Sequence, residues 1–201
     1  VKDFIAKIKS GDPFSGGVLQ KADLSGRDFH GKDLSGMTLM HVNLQGANLS
    51  GANLSGGHWM SVDLENADLS GAFLAGTLIQ DSNLKGAGFA EADLTKLSCS
   101  KCDWSESDLS RTTSGGNLFL VSNFNGTKME GASLRNASFS SCTLDDLEAK
   151  KLSWEKVDFS GGSCERGDFS ASILKQVRFS DTTLNGSRFN EADILHLTIE
   201  K

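Results

Sequence analysis

Residues Val42–Gly56 read VNLQG, ANLSG, ANLSG: three copies of one five-residue phrase with a large apolar residue at the centre. Working outward from it, the frame holds in both directions. Leu24, Phe29, Leu34 and Leu39 precede Leu44, Leu49 and Leu54. Trp59, Leu64, Leu69, Leu74, Ile79, Leu84, Phe89 and Leu94 follow. The same spacing runs through Trp104, Phe119, Phe139, Trp154, Phe179 and Ile194 to Ile199, giving 36 units without a slip. Phe14 and Leu19 extend it backwards. Helices repeat every 3.6 residues and strands every 2, so a strict period of five belongs to neither.

Two residues before the large one usually stands a small one, as at Ala22, Val42, Ala47, Ala52, Ala67 and Ala72. The residue between them is usually polar, often Asp or Asn, and the pair after the large residue is often Ser-Gly. The consensus is A-(D/N)-L-S-G. All three Trp and ten of the twelve Phe occupy the central position. This pattern resembles the pentapeptide-repeat family over about residues 14–199. The resemblance implies an all-β solenoid, a right-handed quadrilateral β-helix in which each unit is one side and four make a 20-residue coil. The large and small residues point inward and the other three outward. Phe119, Phe139, Phe159 and Phe179, spaced by twenty, support that coil length independently. About nine coils stacked about 4.8 Å apart make a rod on the order of 43 Å long.

The exceptions are informative. Ala149 is paired with Leu147, and Cys99 with Leu97, as volume-conserving swaps. Ser114 with Thr112 has no such compensation, so a local irregularity is expected there, next to Gly115-Gly116. Arg27 and Lys32 at small positions require an open end or side chains that reach out to water. Residues 1–12 form the first division: Phe4, Ile5 and Ile8 share one helical face, and Gly11 and Pro13 stop the segment, so a short N-terminal capping helix is expected. Residues 13–201 form the β-helix. In its final coil, Ile194, Leu195, Leu197 and Ile199 have little chain left to cover them, so a partner, a second copy in a homodimer or further sequence is expected to cover this end. The chain begins at Val1 rather than Met, which leaves open whether a targeting segment or an upstream domain precedes it.

Bulk properties narrow the functional classes. The net charge of −6 argues against direct nucleic-acid binding, which needs a basic surface. No apolar run approaches the roughly 20 residues that cross a bilayer, and no secretory signal is visible. The cytoplasm is therefore the expected compartment, with export lacking a signal peptide as the other route. Cys99 and Cys102 form a C-x-x-C, open to metal or redox readings. Both fall on inward positions, as do Cys142 and Cys164, so all four are expected to be buried structural thiols. His30, His41, His58 and His196 sit in no nucleophile or metal motif. No catalytic residue, metal or cofactor is assigned, and the protein is not expected to be an enzyme.

What the repeat leaves unexplained is a set of outward apolar residues. With a 20-residue coil, Met40, Met60, Leu78, Leu118, Leu120 and Val121 fall on one wall beside His41, His58 and Gln80. Exposed contiguous apolar patches mark interaction sites. A non-enzymatic scaffold for protein partners of unidentified kind is the reading this supports. The stretch GDPFSGGVLQKADLSGRDFHGKDLSG after the N-terminal segment resembles the start of pentapeptide modules of type VI secretion proteins. That implies an accessory or effector module of bacterial secretion. The alternative is a Qnr-like inhibitor or protector of DNA gyrase, for which the resemblance implies an acidic, DNA-mimicking rod.

Overall fold

The computed structural model describes residues 16–200; the expected capping helix and Phe14 lie outside the described residues. Every pairing runs parallel with an offset of twenty. Val18 pairs with Thr38, Asp23 with Asn43, Asp28 with Asn48 and Asp33 with Asn53. Four pairing points in each twenty residues make four sides. The described chain is an all-β parallel solenoid of about nine turns, with no helix among the described residues.

The five-residue phrase explains each corner. In the first coil Asp23 Oδ1 accepts the Ser25 N–H at 3.1 Å, and Leu24 O accepts the Arg27 N–H at 3.2 Å. The same aspartate or asparagine contact recurs at Asp28, Asn43, Asn48 and Asp68. A side-chain oxygen that mimics a backbone turn is what Asp and Asn supply between the two inward residues. The last residue of the unit takes a positive φ in every unit from Gly16 to His196. Glycine is common there because it adopts that conformation without a Cβ clash.

One wall is made of short strands throughout: β1 (Val18–Gln20), β2 (Thr38–Met40), β3 (His58–Met60), β4 (Leu78–Gln80) and β5 (Ser98–Ser100). A second wall starts as isolated bridges and becomes strands at β6 (Thr113–Gly115). From there the two walls alternate along the chain. They continue as β7 (Leu118–Leu120), β8 (Ser133–Arg135), β9 (Ser138–Ser140), β10 (Ser153–Glu155) and β11 (Asp158–Ser163). The last two strands, β12 (Ile173–Thr183) and β13 (Asp193–Glu200), are long enough to bend across corners, and β12 joins both walls into one sheet.

The change at β6 is the irregularity expected at Ser114, and it is not local. Leu97 N donates to Leu94 O at the corresponding corner one coil earlier. At the new corner Ser114 Oγ donates to Asn117 Oδ1 at 2.6 Å, and Asn117 Nδ2 donates to Leu94 O at 2.6 Å. A polar pair fills the space that a large residue would occupy, and the extended form then propagates through β8, β10 and β12. Register is kept, since Ser114 pairs with Leu134.

The core is one continuous column from Leu19 to Phe179. Phe119, Phe139, Phe159 and Phe179 stack with ring centroids 4.7, 4.9 and 4.7 Å apart, the coil spacing itself. Burying each contributes roughly 1.5–3 kcal/mol. Leu147 with Ala149 and Leu97 with Cys99 are all buried, as volume swaps require. The reverse swap also occurs: Trp59 sits with Gly57, where a Cβ would stand 2.7 Å from Trp59 Nε1. Hydroxyls at the small position donate to the carbonyl 23 residues earlier, as Thr77 does to Leu54 O and Thr127 to Trp104 O, both at 3.0 Å. These two buried hydroxyls are thereby satisfied, whereas Ser107 Oγ, buried at the same position of its unit, has no hydrogen-bond partner. Arg27 and Lys32 are exposed beside buried Phe29 and Leu34, so their charges stay in water.

Candidate functional site

The wall of β1 to β5, β7 and β9 presents two outward rows. The first runs Val18, Thr38, His58, Leu78, Ser98, Leu118, Ser138. The second runs Gln20, Met40, Met60, Gln80, Ser100, Leu120, Ser140. None of these fourteen residues is Asp, Glu, Lys or Arg, although 23 % of the chain is charged. Leu78, Leu118 and Met60 are exposed by 43 %, 41 % and 40 %. A groove of about 390 Å³ runs along this wall, from Thr38 and Met40 past His58, Met60, Leu78 and Gln80 to Ser98, Ser100 and Leu120.

The groove gathers Met40, His58, Met60, Leu78, Gln80 and Leu120 from the sequence-expected set. Leu118 stands on the same wall outside its lining, and His41 and Val121 stand at the corner beyond. Val121 has φ +49° and is 59 % exposed. Among the described residues it is the one β-branched corner residue with positive φ. Such a residue is a conformational outlier, since its Cβ substituents crowd the backbone there. Equivalent corners carry Lys21, His41, Ser61, Asp81, Lys101 and Ser141. Val121 costs conformational energy, exposes apolar surface and packs nothing into the core. The sequence pattern reveals its exposure but not its strain.

At the other candidate contact, Ile194, Leu195 and Ile199 are exposed by 40 %, 51 % and 60 %. Leu197 is half-buried against the core with Leu184 and Phe189. Ile194, Leu197 and Ile199 keep their inward frame, with no further described coil to cover them. β13 is paired to β12 along one edge.

The cysteine expectation needs correcting in part. All four are buried, but Cys99 and Cys102 are joined in a disulfide rather than being thiols. The two inward positions on either side of one corner face a common interior, which brings their sulfurs together. Cys142 and Cys164 are free, and burial pushes their thiols up to about 11 and about 12. Neither forms a thiolate at neutral pH, which a nucleophile or metal ligand requires.

A second depression, of about 410 Å³, is lined by Glu130, Asp146, Glu148, Lys150, Arg166, Asp168 and Arg188. Its three cations are all paired with carboxylates, and Glu130 is held by Lys151 from outside the lining. Arg166 grips Asp146 with two hydrogen bonds of 2.7 Å. Asp168 Oδ1 accepts from Ser170 Oγ at 2.6 Å, while Oδ2 faces Arg188 at 3.1 Å and Lys150 at 3.4 Å. These contacts, Ser170 first, pull the Asp168 carboxyl down to about 2. His30 is taken up by Ser50 Oγ at 2.9 Å. Among the described residues no group of three or more His, Cys, Asp or Glu is placed to hold a metal. No helix among them is long and apolar enough to cross a membrane.

A family profile described as "Pentapeptide repeats" matches the sequence in eight copies over residues 18–56, 60–95 and 122–148, just over half of the chain. No curated protein matches it. Among solved structures the chain is similar to HetL, a pentapeptide repeat protein involved in heterocyst differentiation regulation in Nostoc sp. PCC 7120. That likeness has 23 % identity, covers 96 % of this chain and 94 % of that one, and has a TM-score of 0.32. It is similar to QnrB1, a plasmid-mediated fluoroquinolone resistance protein, with 16 % identity, coverage of 90 % and 93 %, and a TM-score of 0.49. A further pentapeptide repeat protein of Nostoc is 34 % identical over 51 % of this chain and 79 % of that one, with a TM-score of 0.40.

Proposed function

Given that the chain belongs to the pentapeptide-repeat family, we propose that it is a non-enzymatic protein-binding scaffold that docks its partner on the wall around Met60 and Leu118. The observation that carries this reading is Val121. A strained, exposed, β-branched corner residue adjoins the charge-free wall and contributes nothing to the core. Outliers of that kind persist where another role maintains them. A solenoid suits the role because its outward residues vary without disturbing the core. The wall favours a partner with an apolar, uncharged face: a charge set against it loses water and gains no counter-charge.

The test is a Met60→Asp/Leu118→Asp double variant. Both side chains point outward, so circular dichroism and melting should match the parent. Co-purified partner should be lost, while Phe73→Asp, an outward change away from this wall, should retain it. Retention of the partner by the double variant would overturn the reading.

A second reading has one observation in its favour. Nine acidic and three basic residues lie between 61 and 110, so the whole excess negative charge sits in the middle coils. An acidic belt suits a basic protein surface, such as a DNA-binding enzyme like gyrase. A supercoiling assay with purified gyrase decides it; no inhibition or protection at micromolar protein removes it.

A further inference from the structure

Neither outward methionine is explained by the repeat. Met37 and Met129 are core residues, exposed by 2 % and 1 %. Met40 and Met60 instead stand on the outside of the wall, where they are direct partners in register on β2 and β3. Adjacent strands lie about 4.8 Å apart. His58 is two residues before Met60 on the same strand, so the two side chains project from the same face. All three residues line the groove.

We propose that Met40, Met60 and His58 form a binding site for one soft monovalent cation, Cu(I) or its analogue Ag(I). Two thioethers and an imidazole are a soft donor set, suited to Cu(I) and unsuited to Mg²⁺ or Ca²⁺, which take oxygen. Zinc sites are built from thiolate, imidazole and carboxylate, and this groove offers a single one of those groups. The long unbranched methionine side chains let two sulfurs from neighbouring rungs converge on one ion. Gln20 Nε2 donates to Met40 Sδ at 3.4 Å. A thioether is a weak acceptor, so the cation displaces a weak hydrogen bond. No Lys or Arg stands among the fourteen outward residues of this wall to repel it. The site goes beyond the partner reading and does not depend on it, because it needs no other protein.

The experiment is a titration of the full chain with Ag(I) alone, which needs no reductant, read by NMR of methionine methyl groups labelled with carbon-13. The expected result is saturable shifts of the Met40 and Met60 methyls at one equivalent, with Met37 and Met129 unmoved. Met40→Leu and Met60→Leu keep side-chain volume on an outward surface, so they should fold as the parent does and weaken binding about tenfold or more each. His58→Gln should weaken it as well. Leu118→Asp, which tests the partner reading, should leave Ag(I) binding unchanged. Unmoved Met40 and Met60 methyls would overturn the site, including the case in which silver goes only to the buried thiols of Cys142 and Cys164. Unchanged affinity in the Met40→Leu/Met60→Leu double variant would overturn it too.

Discussion

Val121 shows how a single position carries two opposed pressures. With φ +49°, its branched side chain is held where L-residues lose roughly 1–2 kcal/mol, and asparagine tolerates that conformation best after glycine. Val121→Asn should therefore raise stability by about 1 kcal/mol in urea unfolding, and should weaken partner capture at the same time. Gain without loss of capture would mean that the valine serves no contact. Gly57 is the converse case. It is the small member of the unit whose large member is Trp59, and an added Cβ would also stand 3.2 Å from Leu54 O and 3.3 Å from Met37 O. Gly57→Ala should cost about 1–3 kcal/mol, seen as a lowered melting temperature. The frame assigns both residues their faces from sequence alone. It reveals neither the torsional strain at 121 nor the crowding at 57, because these depend on distances between coils.

Among elements, the two strand walls differ in origin. The wall from β1 onward is extended from its first described coil, whereas the other becomes extended only at β6. The sequence marks that place through Ser114, whose small side chain leaves the core unfilled. It does not disclose the remedy, since Asn117 not only accepts from Ser114 but also reaches Leu94 O in the previous coil. The disulfide was hidden for a related reason: inward position is legible at Cys99 and Cys102, but the approach of their sulfurs across a corner is not. Asp168 ties the later coils together through Ser170, Lys150 and Arg188. Its carboxyl is depressed to about 2 from an ordinary 3.8, so its contribution is fully present above pH 3.8 and is lost as pH falls toward 2. Between pH 5 and pH 2.5 the parent should lose more stability than Asp168→Asn, by on the order of 2 kcal/mol in urea midpoints. Equal losses in the two proteins would show that the contacts carry no net energy.

For the whole molecule, the all-β architecture and the coil length were readable because one short phrase recurs in every unit. The groove was readable only in part. Its members could be placed on one wall by counting in twenties, yet which of them line a groove could not: Leu120 does and Leu118 does not. We propose a second copy meeting the exposed Ile194, Leu195 and Ile199 end to end. Leu195→Asp and Ile199→Asp together should convert any dimer seen by sedimentation into monomer; a dimer that survives would place the contact elsewhere.

The core repeats every five residues, but the surface repeats every twenty, and the two periods respond differently to a change in length. Removing residues 81–100 takes out one full revolution. The rod should shorten by about 4.8 Å, and Leu118 and Leu120 should move one step nearer Met60 while still facing the same way. Removing residues 86–90 also keeps each large side chain inward, so the protein should still fold cooperatively. Everything after the cut would, however, be turned through a quarter revolution. Leu118 and Leu120 would then look out over a different side from Met40 and Met60, which measured separations between spin labels at positions 60 and 118 would report. A family of such deletions makes the rod a rotary dial, in which the angle between two surface features is set by counting units and stability stays nearly constant.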